Sequence, residues 1–254
     1  MFAGKRIAVV VPAHNEERLL PRTLATMPAF VDDVIVVDDA STDRTVEVIS
    51  DPAPRPGTIL VRHRRNRGVG AAIVTGYERA LSLGADVVAV MAGDAQMDPA
   101  DLPRLLEPVA AGRADYAKGD RLSWPGASRL MPLARFLGNH FFSALTRMTS
   151  GYRDVRDSQC GYTAISSATL SRLDLPRLYA RYGFPNDLLA HLHSTGSRLS
   201  QVPVRPIYGD EVSGISWFTA LVRVPLVLVR SWLARRRRAA SPQPALLGQP
   251  YTER

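Results

Sequence analysis

The sequence is poor in cysteine and has no long uninterrupted apolar run. Its single cysteine, Cys160, excludes an intrachain disulfide and favours a reducing compartment. The first apolar run, residues 7–11, is far too short for a signal peptide or a membrane span, and it continues directly into polar residues. We therefore expect neither at this point and interpret the run as the first strand of a sheet.

The sequence also lacks the signatures of nucleic-acid-binding proteins, such as a zinc-finger spacing or an aromatic RNA-binding strand. What it does have is a net charge of +8, which favours anionic partners. Without a nucleic-acid motif, we expect a phospholipid surface or a phosphorylated substrate. A length of 254 residues is enough for one α/β domain with a full core and an appendage.

Short apolar runs alternate with helical patterns along the first half of the chain, which is typical of a parallel α/β sheet. The apolar runs predict strands at residues 7–11, 34–37, 58–61, 86–91 and 115–118, with an edge strand at 199–204. The other patterns predict helices from a cap at Ser41 or Thr42 to about residue 50, and at 68–83, 99–111, 136–148 and 185–195. Residues 51–57 and 122–132 are predicted to be loops.

The stretch DVVAVMAGDAQMDP, residues 86–99, joins a predicted buried strand to a charged loop. Asp94 and Gln96 are two residues apart, so in an extended chain both side chains leave on one side and offer oxygens to a hard cation. Asp98 followed by Pro99 is typical of a helix N-terminus. Because ligands bind at the carboxyl ends of parallel strands, we predict a cation site here. From the spacing alone, Asp94 and Gln96 fit a simple turn equally well.

Three further polar turns follow predicted strands: PAHNEE at residues 12–17, DDAS at 38–41 and RNRGVG at 65–70. A carboxylate such as Asp39 can accept hydrogen bonds from the base and ribose of a nucleotide. Gly68 and Gly70 let the backbone approach closely, and the N-terminus of the next helix attracts a diphosphate. Each turn alone also fits a helix cap, but four such turns at one sheet edge favour a nucleotide site.

Together the motifs VVVPAHNEE, VIVVDDASTD, NRGVGAAIVTGYERA and MAGDAQMDP closely resemble the nucleotide-binding half of family 2 glycosyltransferases with the GT-A fold. The later run DSQCGYTAI and the GDR around Arg121 resemble the branch that includes dolichyl-phosphate mannosyltransferase and the bacterial polyprenyl-phosphate glycosyltransferases. The resemblance spans residues 6–215. It implies an α/β fold of the GT-A, Rossmann-like kind, with a mostly parallel sheet and helices on both faces.

The resemblance also implies an activity. It is that of an inverting glycosyltransferase that moves a sugar of the mannose or glucose type from a GDP- or UDP-sugar to a polyprenyl (dolichyl or undecaprenyl) phosphate, using Mg²⁺ or Mn²⁺. Two alternatives stay open: a transferase of the same fold that acts on a hydroxyl acceptor, and a nucleotide-binding protein without catalytic activity. The second rests on Ala92, which stands where many relatives have the first aspartate of an Asp-x-Asp pair. With only Asp94 and Gln96 as protein ligands, we expect weak metal binding without nucleotide.

The resemblance implies site residues position by position. Donor-binding residues are Pro12, Ala13, Glu16, Asp39, Arg67, Gly68, Asp94 and Gln96, of which Asp94 and Gln96 hold the metal. Catalytic residues are Asp94, Asp157, Arg121 and Arg135, with the arginines on the acceptor phosphate and Asp187 near the acceptor. For Asp157 the residues themselves leave a second interpretation, a carboxylate satisfied by local turn amides.

The last part of the chain has its own pattern. Residues 136–148 are aromatic and amphipathic, which fits either core packing or a groove for a lipid chain. In residues 216–238, arginines and Pro225 interrupt every apolar stretch. We therefore predict a helix that lies in the membrane interface and does not span it; docking on the core is the alternative. Residues 239–254 are predicted to be disordered.

These patterns divide the chain into three parts. Residues 1–215 are the predicted GT-A domain, with a nucleotide-sugar-binding half at 1–118 and an acceptor half at 119–215. An interfacial helix at 216–238 and a tail at 239–254 follow. The expected location is cytoplasmic and peripherally associated with an anionic membrane surface. A membrane protein that delivers or flips the product is a candidate partner, and no nucleic acid is expected.

Overall fold

The computed structural model describes residues 1–50 and 54–208, together with Leu226 and Val229. Within these residues one sheet contains the strands β1 (Ile7–Ala13), β2 (Asp33–Asp38), β3 (Ile59–Arg62), β4 (Val87–Val90), β5 (Tyr116–Asp120), β6 (Thr163–Ser166) and β7 (Leu199–Pro203). Their order is β3-β2-β1-β4-β6-β5-β7. All neighbours pair in parallel except β6, which runs antiparallel to both β4 and β5. The predicted mostly parallel α/β sheet is thus confirmed.

All the predicted strands are present, and β7 lies at one edge of the sheet as expected. Every residue of β1, β2 and β4 is buried, because helices cover both faces of the sheet. The strand that the sequence did not predict is β6. Its four residues, TAIS, belong to a run that we interpreted only as part of a site.

The described residues contain the α-helices α1 (Leu20–Ala25), α2 (Thr45–Ser50), α3 (Val69–Ser82), α4 (Leu102–Ala110), α5 (Ala127–Leu130), α6 (Leu133–Ser150), α7 (Ser167–Leu170) and α8 (Phe184–Ser194). Two short 3-10 turns occur at Pro99–Asp101 and Leu175–Arg177. Asp98 caps the first of these turns by accepting the backbone N–H of Ala100 at 3.0 Å, as its sequence context predicted. The helices predicted at 68–83, 99–111, 136–148 and 185–195 correspond to α3, α4, α6 and α8.

Two of the predicted boundaries are wrong. α2 starts at Thr45 and not directly after Thr42, because the Asp43 carboxylate accepts the backbone N–H of Thr45 at 3.0 Å and supplies the cap. Residues 122–132 are not entirely a loop, since α5 begins after Gly126, whose φ of 79° turns the chain. The short helices α1 and α7 were not predicted, because four to six residues show too little periodicity.

The core consists of two layers on opposite faces of the sheet. Val9 and Val11 of β1 pack in one layer with residues of α1 and α4, whereas Ala8 and Val10 pack in the other with residues of α3 and α8. Successive side chains of a strand point to opposite faces, so one strand supplies both layers. This arrangement leaves the carboxyl ends of β1, β2 and β4 together at one edge.

In contrast to the helices of the core, α6 buries polar side chains and exposes apolar ones. Its buried side chains all carry hydroxyls: Ser143, Thr146 and Ser150. Four of its large apolar side chains are exposed, namely Leu133, Leu137, Phe141 and Met148, while Phe136, Phe142 and Leu145 are half-buried. Leu133 and Met148 are 69% and 73% exposed, so core packing does not explain these apolar residues.

Among the described helices, none has both the length and the apolarity that crossing a bilayer requires. The predicted interfacial helix at 216–238 and the tail at 239–254 lie outside the described residues, apart from Leu226 and Val229.

Candidate active site

Loops that follow β1, β2 and β4 meet at one edge of the sheet. The backbone N–H of Asp39 donates to the carbonyl of Ala13 at 2.8 Å, and that of Gly93 donates to the carbonyl of Pro12 at 3.3 Å. Hydrogen bonds therefore connect the three loops directly. The structure brings the predicted donor residues Pro12, Ala13 and Asp39 next to the loop that carries Asp94.

Asp39 fixes the glycine-rich loop, which is formed by residues 65–70. Its carboxylate is 3% exposed and accepts the backbone N–H groups of Arg67 at 2.8 Å and Gly68 at 2.7 Å. Nδ1 of His63 donates to the same carboxylate at 2.7 Å, and the other ring nitrogen lies 3.0 Å from the hydroxyl of Thr75 on α3. Burial alone would raise the pKa of Asp39, but these three hydrogen bonds outweigh it and lower the pKa. Both oxygens of Asp39 are thus charged and engaged within the protein.

Sequence reasoning missed His63, because a single histidine after a strand is not a motif. Its backbone follows β3 directly, and its N–H donates to the carbonyl of Asp38 at 2.9 Å. The signal that could have found it is this position, at the same sheet edge as the predicted nucleotide turns.

Gly68 is required by the packing of its loop. Its φ is 97°, and a Cβ at this position would lie only 2.5 Å from the carbonyl oxygen of Ala180. Residues 179–181 therefore lie directly against the glycine-rich loop. Asp187 of α8 holds these residues by accepting the backbone N–H of Tyr179 at 2.9 Å. Asp187, which the resemblance placed near the acceptor, thus contacts the backbone beside the glycine-rich loop, and its place near the acceptor stays a prediction.

The Asp94 loop is a turn, whereas the predicted cation site assumed an extended chain. Oδ1 of Asp94 accepts the backbone N–H of Gln96 at 3.1 Å, and Ala95 between them has a φ of 55°. Such turns form because a short carboxylate side chain reaches the N–H two residues further on. Asp94 and Gln96 are both half-buried, so neither is shut off from a ligand.

Glu16 and Asp94 act on each other electrostatically. Burial, followed by the charges of Asp94 and Asp43, raises the pKa of Glu16 to about 7. Burial, Glu16 and Asp94 also raise the pKa of Tyr182, so residues 179–183 border the same site. A cation would relieve the repulsion between Glu16 and Asp94, and the oxygens of Asp94 and Gln96 are ligands that Mg²⁺ and Mn²⁺ accept.

Among the described residues, no three His, Cys, Asp or Glu side chains are grouped to hold a metal ion. Asp94 and Gln96 would leave most of the coordination shell of a bound ion to other oxygens, and weak metal binding without nucleotide stays a prediction.

In the acceptor half, Asp157 and Arg121 form a buried bidentate ion pair. Nε of Arg121 lies 2.7 Å from Oδ2 and Nη2 lies 3.1 Å from Oδ1 of Asp157, whose side chain is fully buried. The carboxylate also accepts the backbone N–H groups of Arg121, Gln159 and Cys160. Burial would raise the pKa of Asp157, but Arg121 outweighs it and the pKa is lowered. Asp157 is therefore a charged partner that orients Arg121 and not a free base.

A buried lysine that the sequence analysis did not single out supports the same region. Lys118 of β5 is 1% exposed and donates to the carbonyl of Cys160. Burial lowers its pKa, while Asp157 and Asp120 nearby favour its charged form. It ties the run DSQCG to the sheet next to Arg121.

Arg135, in the first turn of α6, lies with its guanidinium carbon 5.1 Å from the centre of the Tyr208 ring. Burial raises the pKa of Tyr208, whereas Arg121 and Arg135 both act to lower it. Arg135 thus contacts Tyr208, and the charge of Arg121, fourteen positions earlier in the sequence, acts on the same hydroxyl.

The mostly parallel sheet, with polar loops at the carboxyl ends of its strands, defines an α/β protein with a loop-borne candidate site, and comparison with known proteins identifies its family. The profile of "Glycosyl transferase family 2" matches residues 8–173. The chain belongs to glycosyltransferase family 2, and it is a glycosyltransferase. The resemblance described above, its fold class and its enzyme class are confirmed.

Curated relatives cover most of the chain. The UDP-N-acetylglucosamine–dolichyl-phosphate N-acetylglucosaminyltransferase of Methanococcus voltae is 29% identical over 223 residues, which are 82% of this chain and 88% of the relative. The undecaprenyl-phosphate mannosyltransferase of Micrococcus luteus is 33% identical over 203 residues, which are 78% of this chain and 82% of the relative.

A solved structure shares the fold. Glucosyl-3-phosphoglycerate synthase from Mycobacterium tuberculosis, in complex with Mn²⁺, UDP-glucose and phosphoglyceric acid, superposes with a TM-score of 0.66. It is 22% identical, and the match covers 95% of this chain and 82% of that chain.

Proposed function

We propose that this glycosyltransferase moves a sugar from a nucleotide-sugar donor to a polyprenyl phosphate, with inversion at the anomeric carbon. The observation that carries the proposal is the convergence of Arg121 and Arg135 on Tyr208 in the acceptor half. Arginine binds phosphate through planar, charge-assisted hydrogen bonds. The two curated relatives named above, both named for transfer to a polyprenyl phosphate, support this acceptor class.

On the donor side, the edge formed by Pro12, Ala13 and the Asp39-anchored loop of Arg67 and Gly68 binds the nucleoside. Asp94 and Gln96 hold the divalent cation, Mg²⁺ or Mn²⁺. When bound, such an ion neutralises charge on the donor diphosphate and makes it a better leaving group. Glu16 adds negative charge beside this site, and a bound cation reduces the repulsion between Glu16 and Asp94.

On the acceptor side, a phosphate oxygen attacks the anomeric carbon while the bond from that carbon to the nucleoside diphosphate breaks. A phosphate monoester has a second pKa of about 6, so it is already a dianion at pH 7 and needs no base. The ion pair between Asp157 and Arg121 fits this chemistry, because a paired Asp157 does not act as a base. Its role is to orient the arginine that binds the acceptor.

The acceptor class can be tested by comparing arginine variants. Arg135→Gln is expected to raise the acceptor KM at least roughly tenfold without changing the donor KM, since it removes a charged contact to phosphate. Arg121→Lys keeps a charge against the buried Asp157 and avoids leaving it unpaired. The control is Arg129→Gln, an exposed arginine of the neighbouring α5. A normal acceptor KM in Arg135→Gln, with transfer that depends on an enzyme base, would favour a hydroxyl acceptor.

The hydroxyl acceptor is the second candidate, and one observation favours it. The solved neighbour described above was crystallised with UDP-glucose and phosphoglyceric acid. A hydroxyl acceptor needs a general base, whose assistance is typically worth 10²–10⁴-fold. Measuring transfer from GDP- and UDP-sugars to undecaprenyl phosphate, dolichyl phosphate and an alkyl alcohol of equal length decides between the two and identifies the donor nucleotide.

We also infer that the enzyme acts at the cytoplasmic face of a membrane as a peripheral protein. The exposed apolar side chains of α6 and the absence of acidic residues from this helix support contact with an anionic lipid surface. The predicted helix at 216–238 adds a basic, amphipathic segment. Replacing Leu137 and Phe141 by Gln should weaken co-sedimentation with phosphatidylglycerol vesicles, as should ending the chain after Gly214. Donor binding should be unchanged in both variants, and unchanged co-sedimentation would refute the inference.

A further inference from the structure

Tyr208 combines two features that the proposed mechanism does not use. It lies a few residues beyond β7, and its ring packs against the guanidinium of Arg135 with a distance of 5.1 Å from the guanidinium carbon to the ring centre. Its hydroxyl oxygen is buried and has no hydrogen-bond partner in the part of the chain that the structure describes. A buried hydroxyl without a partner is destabilising, so such groups are rare unless a ligand or water completes them.

The surroundings of this hydroxyl indicate which kind of ligand completes it. Arg121, Asp157 and Arg135 all act on it electrostatically. Burial raises the pKa of Tyr208 above its ordinary value, so the hydroxyl keeps its proton at neutral pH and can donate. The missing partner is therefore an acceptor.

Among the residues that the structure describes, the carboxylate that acts on this hydroxyl is that of Asp157. Asp157 already accepts two side-chain hydrogen bonds from Arg121 and three backbone N–H groups, so its oxygens are fully used. An acceptor that enters between two arginines is favoured if it is an anion. A phosphate group meets both conditions, since it has several acceptor oxygens and a negative charge.

We propose that the Tyr208 hydroxyl donates a hydrogen bond to the acceptor phosphate bound between Arg121 and Arg135, and that its ring fixes the orientation of Arg135. The proposal rests on the proposed function for the identity of the phosphate. It makes Tyr208 a substrate-binding residue with two separable parts, the hydroxyl and the ring.

The experiment separates these parts with two variants of the full chain. Tyr208→Phe removes only the hydroxyl, and Tyr208→Leu removes the aromatic face as well. The control is Tyr152→Phe, because the Tyr152 hydroxyl donates to the backbone carbonyl of Ser197 and serves the fold. The probe is geranyl phosphate, a short prenyl monophosphate that is soluble without a membrane, titrated by calorimetry. UDP and GDP are titrated in parallel to measure the donor site.

Tyr208→Phe is expected to bind geranyl phosphate roughly tenfold more weakly than the wild type, as for loss of one hydrogen bond to a charged group. Tyr208→Leu should bind it more weakly still, because Arg135 loses its support. Tyr152→Phe should bind it normally, and all three should bind nucleotide like the wild type. A parallel loss of nucleotide binding would show general misfolding and overturn the assignment of Tyr208 to the acceptor.

Other outcomes separate this proposal from the proposed function. Equal affinity of Tyr208→Phe and wild type for geranyl phosphate overturns the role of Tyr208, even if the wild type transfers sugar to polyprenyl phosphate. No measurable binding by the wild type overturns it as well. If binding depends on Tyr208 but no sugar is transferred to any prenyl phosphate, the phosphate site stands and the proposed function fails.

Discussion

The donor half and the acceptor half each contain one long helix, and these helices bury opposite kinds of side chain. α3 packs on β1 and β2 through an apolar face with Ile73 and Tyr77. α6 packs on α8 and buries hydroxyls instead. The Thr146 hydroxyl lies 2.8 Å from Oδ1 of Asn186, and the backbone N–H of Ser158 donates to the Ser143 hydroxyl at 2.9 Å.

The difference teaches how each half is held together. An apolar face is stabilised in proportion to the area that it removes from water, so α3 depends on filling space. A hydroxyl face contributes little unless each group finds its partner, so α6 depends on the exact place of a few atoms. The apolar core therefore holds α3 in place, whereas hydrogen bonds hold α6 and leave apolar side chains on its outer face exposed.

The largest effect on activity is expected from a variant that removes the proposed cation ligand of the donor half. Asp94→Asn should lower kcat roughly a thousandfold or more, because it removes a charged ligand of the cation on the leaving group. The metal dependence of donor binding should largely disappear, while geranyl phosphate should still bind in the acceptor half. The control is Asp98→Asn, which keeps a side chain that can cap the following turn. Near-normal turnover in Asp94→Asn would overturn the assignment of the cation site.

The contrast between α3 and α6 can be tested by replacing one apolar side chain of each helix with alanine. Ile73→Ala in α3 should lower the free energy of unfolding by about 2–5 kcal/mol, since it leaves a cavity in the core. Leu137→Ala in α6 should change it by no more than about 0.5 kcal/mol, because this side chain is already exposed. Urea unfolding followed by circular dichroism measures both. A similar loss in the two variants would mean that the outer face of α6 is covered in solution.

The pH dependence should also differ between the halves. Glu16 has a pKa of about 7 and must lose its proton when a cation binds beside it, so metal-dependent donor binding should strengthen as the pH rises through 7. Linkage to one proton predicts an increase of about tenfold between pH 6 and pH 8. Calorimetry with the nucleotide and Mg²⁺ measures it, with Glu16→Gln as the variant in which the dependence should vanish. An unchanged pH profile in that variant would assign the proton to another group.

The smallest effect is expected at His63. His63→Leu removes the hydrogen bond to Asp39 and should weaken nucleotide binding about fivefold, because the glycine-rich loop loses part of its anchor. His63→Asn places an N–H near the position of Nδ1 and should recover most of the affinity, which a mere loss of packing would not allow. Acceptor binding should be unaffected. Equal affinities in all three proteins would show that Asp39 needs only the backbone N–H groups of Arg67 and Gly68.

Much of the sheet could be predicted because its central strands are buried on both faces and appear as continuous valine-rich runs. β6 could not, since TAIS is short and its place between β4 and β5 depends on long-range pairing. The turn at Ala95 was left open, because an aspartate two residues before a glutamine fits both an extended and a turned chain. Only the structure shows which one forms.

In the candidate site, too, some residues could be predicted from the sequence and others could not. Residues at the carboxyl ends of strands, such as Asp39 and Asp94, could be predicted from their position in the motifs. His63 and Tyr208 could not, because their roles come from partners supplied by other loops and helices. Asp157 was predicted as a catalytic carboxylate, and the structure places it in an ion pair with Arg121, as a local pattern of residues could not reveal.

The pairing of β6 with β5 fixes both ends of the segment between these strands. Residues 121–162 leave the sheet at β5 and return to it at the neighbouring strand, with the backbone N–H of Gly119 donating to the carbonyl of Tyr162 at 2.8 Å. An ion pair between Asp120 and Arg156 at 3.1 Å also joins the two ends. Between these ends the segment packs on α8 through α6. Arg121 and Asp157 lie near the two fixed ends, so the sheet itself sets the position of their ion pair.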